Sequence, residues 1–135
     1  VVLSTDFYAL VAQIIPVLLL TGIIEMRAVS QRWAEPTLPT WVVLGFLVGM
    51  LLIILGEVSA LWVVSNGAEN ALVLFGALFG IGVAGSFAAL PLVDTVLDWA
   101  APAEKRASWL QRLGTAAALT PFAAAMVALI AASAA

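Results

Sequence analysis

Four long apolar runs dominate the chain, and three short polar stretches separate them. The runs cover about residues 7–26, 41–64, 71–93 and 113–132. An α-helix needs roughly 20 apolar residues to cross a bilayer's hydrocarbon core, and each run supplies about that many. The pattern predicts an all-α integral membrane bundle of four transmembrane helices, arranged as two antiparallel hairpins in a single domain.

Helical spacing sorts the positions within each run. At ~100° per residue, Gln13, Val17, Leu20 and Ile24 share one face of the first span. In the second, Gly45, Gly49, Leu52, Gly56, Ser59, Ala60 and Val63 fall within about 100° of arc. That face is built around a G-x-x-x-G and predicts close helix packing. Glu57 points away from it, between Ile53 and Leu61. The third span is small on two sides, with Gly76, Gly80 and Phe87 on one and Gly82, Gly85, Ser86 and Ala89 on the other. A helix small on two sides is expected to pack on two sides, so the third span is placed centrally. The fourth span is alanine-rich, with Thr115 and Thr120 adding polarity. Alanine gains little by transfer to lipid, so this span is expected to lie against protein. Pro16, Pro91 and Pro121 lie inside spans, where the missing N–H and the ring predict a bend.

The connections are short. Residues 66–70 (NGAEN) contain the Asn66-Gly67 turn signal and predict a tight hairpin. Residues 27–39 and 99–109 form the other two connections, with Trp33, Trp99 and Trp109 at headgroup level. Trp41 and Trp62 bracket the second span as aromatic belt residues. The basic residues of the N-terminal part come only after the first apolar run, so that run is expected to remain as a span and not act as a cleaved signal.

Composition agrees with this reading. The chain is 64% hydrophobic and 10% charged, whereas soluble domains are about half apolar and a quarter charged. There is no Cys and no His. Disulfides, thiolate nucleophiles and Cys-zinc sites are excluded, as is haem ligation by His. No basic face suggests nucleic acid. Neither cofactor nor metal is expected. The segment GIGVAG, residues 80–85, matches G-x-G-x-x-G, but it lies inside an apolar span with no strand before it.

All five basic residues, Arg27, Arg32, Lys105, Arg106 and Arg112, fall in or beside the first and third connections. The positive-inside rule then places those connections in the cytoplasm and both termini outside. On this topology Gln13 lies about 5 Å and Glu57 about 7 Å outward of the midplane, at ~1.5 Å per residue. They are expected to face each other, with Thr120 joining them near the midplane. A charged side chain at mid-bilayer costs roughly 2.5–3.5 kcal/mol on insertion scales. Glu57 therefore has three readings. It is a structural carboxyl bonded to Gln13 or a backbone carbonyl, a contact to a partner protein, or a proton or cation site. Asp94 and Asp98, four apart on one face, are a candidate cation or proton site. A solvated helix end paired with Lys105 or Arg106 is the simpler account. Glu25, beside Arg27, reads as an interfacial carboxylate.

The opening DFY and the following AQIIPVLLLTGIIE, residues 6–8 and 12–25, resemble small multi-pass membrane proteins of high-GC Gram-positive bacteria. The likeness covers the first span and implies a bacterial cytoplasmic membrane, with no activity attached. With no nucleophile–base pair, phosphate loop or metal box in the sequence, the expected function is non-catalytic. The expected role is that of a small accessory or structural subunit in the lipid bilayer, packing with itself or with a larger complex. The alternative is an oligomeric ion or proton channel, pore or small transporter using Glu57.

Overall fold

The computed structural model describes residues 3–30, 40–102, 105 and 107–134, with only the backbone at 25, 26, 28–30, 41 and 42. The expected roles of Glu25, Trp33, Trp41 and Arg106 therefore lie outside what is described. Helices α1 (Thr5–Ser30), α2 (Thr40–Asn66), α3 (Ala71–Ala100) and α4 (Ser108–Ala134) account for nearly all of the described chain. All four are long and apolar enough to cross a membrane. They overrun the apolar runs, most of all in α3, which continues through Asp94 and Asp98 to Ala100. Hydropathy marks where hydrocarbon ends, whereas the backbone hydrogen-bond ladder continues into polar sequence.

Local chemistry sets the helix ends. Ser4 Oγ accepts from Phe7 N at 3.3 Å, capping α1. Gly67 adopts φ +65, a left-handed conformation that glycine takes without a Cβ clash, and it ends α2. Asn70 is the N-cap of α3, its side chain accepting from Val73 N at 2.9 Å. The turn from Gly67 to Asn70 therefore folds α2 and α3 back on each other. Several threonine hydroxyls inside the helices bond to their own backbone. Thr21 donates to Val17 O, Thr95 to Pro91 O and Thr120 to Ala116 O, at 2.8–3.0 Å. Each hydroxyl is thereby satisfied within its own helix.

Packing follows two stripes of coiled-coil spacing. On α1, Tyr8, Val11, Ile15 and Gly22 are buried. On α2, Gly49, Ile53, Gly56, Ala60 and Val63 are buried. Steps of three, four or their sum keep these side chains on one side of each helix. Both stripes close on α3, whose Val73, Leu74, Ala77, Leu78 and Ala84 complete the core. The helices α1, α2 and α3 pack against one another pairwise, while α4 packs on α3 and makes no comparable contact with α1 or α2. The arrangement is a three-helix unit with α4 laid along the far side of its central helix.

The start of α1, the α2–α3 turn and the end of α4 lie at one end of the molecule. The end of α1 and the α3–α4 connection lie at the other. Among the described residues, Arg27, Lys105 and Arg112 belong to the second end, together with Asp94 and Asp98, whereas the first carries only acids, Asp6 and Glu69.

Candidate functional site

The α2–α3 crossing is a backbone contact. A Cβ on Gly56 would sit 2.6 Å from Gly80 Cα, and one on Gly80 would sit 2.5 Å from Gly56 Cα. One turn along, a Cβ on Gly76 would collide with the Ser59 side chain. At Gly49 the space is taken by the Phe87 ring, which also meets Phe46 edge-on at 5.2 Å between centroids. Such approach brings many backbone atoms into van der Waals range, which is what drives helix association where lipid removes the hydrophobic gain. Gly45 takes no part. It is exposed, with nothing within 4 Å of its would-be Cβ. The stripe of α2 that faces α3 continues from Gly49 to Phe46, which meets Phe87, and Gly45 falls beside it.

The opposite face of α3 receives α4. A Cβ on Gly82 would lie 2.7 Å from Ala125 Cβ, and one on Gly85 would lie 2.8 Å from Pro121 Cβ. Between them Ser86, buried, accepts a hydrogen bond from Phe122 N at 3.3 Å. Nearer the other end, Leu97 and Val93 fill the space beside Gly114.

The mid-span polar residues do not form one cluster. The helix α3 serves as a ruler. Gly22 lies against the Phe87–Ala88 backbone. Because α1 runs parallel to α3, Gln13, nine positions earlier, is level with about residues 78–79. Gly56 lies against Gly80, and α2 runs antiparallel, so Glu57 is level with about residue 79. Gln13 and Glu57 thus share a depth, but no hydrogen bond joins them, and neither has a hydrogen-bond partner among the described residues. Gln13 is exposed, and Glu57 is half-buried. The reason is rotational. Tyr8, Val11 and Ile15 take the inner face of α1, and Gln13 falls roughly opposite them at ~100° per residue. Thr120 does not join the pair. It is exposed on α4, across α3, beside Pro121 at the level of Gly85, and its hydroxyl bonds Ala116 O.

Asp94 is half-buried and Asp98 exposed on the last turns of α3, and both have interaction partners. No group of three or more His, Cys, Asp or Glu positioned for a metal ion occurs among the described residues.

The polar contact that the pattern of the sequence did not reveal is at the other end. Tyr8 Oη donates to Glu69 Oε1 at 2.8 Å, and Leu3 N donates to Glu69 Oε2 at 3.1 Å. Tyr8 is fully buried. Glu69 precedes the N-cap of α3, and Leu3 precedes α1, so the carboxylate sits at the N-terminal ends of two parallel helices. Both helix dipoles favour a negative charge there. The available signals were a single tyrosine in the chain and a lone acid in a four-residue turn.

No family model, curated protein or solved structure matches this chain. Its chemistry has to be read from its own geometry.

Proposed function

We propose that this chain is a non-catalytic integral membrane subunit that works by associating, with itself or within a larger membrane complex. The observation that carries this reading is the placement of polarity. The interior is filled by glycine-mediated backbone contact, Gly56 on Gly80, which leaves no path between α2 and α3. The mid-span amide and carboxyl lie instead toward the perimeter, with Gln13 exposed and Glu57 half-buried. A polar group facing lipid is costly, and a protein neighbour relieves that cost. The alanine-rich α4, packed almost entirely on α3, offers a second perimeter surface of low lipid affinity. The setting is a cytoplasmic membrane of the bacterial type. The basic end of the molecule faces the cytoplasm, and both termini lie outside.

Purification from native membranes in mild detergent, followed by mass spectrometry, tests this reading. Recovery in a defined assembly is expected, and recovery as a monomer without partners would overturn it.

Glu57 favours one second reading. In a ring of several copies, a mid-span carboxyl at the perimeter of each chain can line a shared path for ions or protons. Liposome flux that Glu57→Gln abolishes would establish that reading, and absence of flux in the wild-type assembly would remove it.

A further inference from the structure

We propose that the partner at the Gln13–Glu57 level is a second copy of this chain, with the Gln13 amide of one copy donating to the Glu57 carboxyl of the next. This rests on the associating role argued above and names its contact.

Three observations converge. First, both side chains lack a hydrogen-bond partner among the described residues, whereas Thr21, Ser86, Thr95 and Thr120 within the spans are engaged and Ser59 is packed against Gly76. Second, their chemistries are complementary. The amide offers two N–H donors, and a carboxyl offers acceptors. Third, they are level with each other along α3, Gln13 with about residues 78–79 and Glu57 with about residue 79.

The third observation selects the occupant. Copies inserted in one orientation and closed into a symmetric oligomer are related by an axis along the membrane normal, because an in-plane two-fold would invert a copy. Such an axis changes position within the membrane plane but leaves depth unchanged. A residue on one copy can therefore bond only to residues at its own depth on the next. Two complementary, unengaged groups at one depth on neighbouring helices meet that condition. An unrelated partner would impose no such match. The Pro16 ring adds a further acceptor on the same side of α1. It removes the N–H that would bond the Ala12 carbonyl, and both Pro16 and Gln13 are exposed.

The test is self-association of the full chain in liposomes, measured by energy transfer between labelled copies at graded protein-to-lipid ratios. Interhelical hydrogen bonds in membranes are modest. Gln13→Ala or Glu57→Ala should each weaken association roughly three- to fifteen-fold. The double variant should be no weaker than the weaker single, because both singles break the same bond. Glu57→Gln keeps an acceptor and should restore most of the loss. Thr120→Ala, on α4, should change nothing. Helicity in detergent checks that each variant has folded. Additive losses, no loss in the singles, or wild-type chains that stay monomeric in lipid would each overturn the proposal. If assembly with other proteins from native membrane survives Gln13→Ala and Glu57→Ala, the associating role stands while this contact falls.

Discussion

Tyr8 and Glu69, 61 positions apart, are joined by a 2.8 Å hydrogen bond that ties the start of α1 to the α2–α3 turn. Glu69 also accepts from Leu3 N, so the two changes that break this contact should differ in cost. Tyr8→Phe removes one hydrogen bond and should cost about 0.5–1.5 kcal/mol. Glu69→Ala removes two and strands a buried hydroxyl, so its cost should be about 2–4 kcal/mol by the same reasoning. Detergent-denaturant titration of each variant checks the order. A Glu69→Ala loss no larger than that of Tyr8→Phe would show that the carboxylate does not hold both groups.

The number, order and pairing of the helices were legible because the apolar runs are long and the turns carry strong signals. Asn66-Gly67 marked the hairpin, and Gly67 does take the left-handed conformation there. The central position of α3 was legible from small residues on both of its faces, since small residues mark close approach regardless of the partner. Rotation about each helix axis was harder to read. Gln13 looks like an inward residue if polarity is assumed to avoid lipid, yet Tyr8, Val11 and Ile15 bury more apolar surface and turn it outward. Glu69 was illegible for a different reason. Its partner is set by where the chain start crosses the turn, and no local pattern encodes that crossing.

Glycine substitutions should separate contact from mere composition. Gly56→Ala places a methyl 2.6 Å from the Gly80 backbone. Backbone cannot rotate aside as a side chain can, so the helices must part, at about 1–3 kcal/mol. Gly45→Ala, with open space around it inside α2, should be neutral or stabilising by up to about 1 kcal/mol. Unfolding titrations of both variants measure the difference. Equal effects would mean that α2 and α3 do not cross at Gly56.

The chain has no Cys, so single cysteines report topology without a background. Ser4→Cys and Ala68→Cys lie at the acidic end, and Lys105→Cys lies at the basic end. The first two should react with an impermeant maleimide on intact cells, and the third only after lysis. The reverse pattern would invert the orientation assigned from the basic residues. Labelling of Ser4→Cys and Ala68→Cys on opposite sides would contradict the helix arrangement itself.

The attachment of α4 depends on one helix, because among the described residues α3 holds it almost entirely. Its contact is concentrated where Gly82 meets Ala125 and Phe122 and where Ser86 accepts from Phe122 N. A Cβ on Gly82 would already lie 2.7 Å from Ala125 Cβ and 3.2 Å from Phe122 Cα. Gly82→Leu adds three further carbons there, and α4 cannot shift toward other helices to compensate. Overpacking of this kind costs about 1–3 kcal/mol, which weakens the docking roughly five- to 150-fold. A protease site placed in the connection between α3 and α4, cut after purification in mild detergent, makes the outcome visible. The wild-type α4 fragment should remain bound to the α1–α3 unit through gel filtration, and the Gly82→Leu fragment should separate. Retention of α4 in both would mean that its hold on the protein lies elsewhere along the helix, for instance where Leu97 and Val93 pack on Gly114.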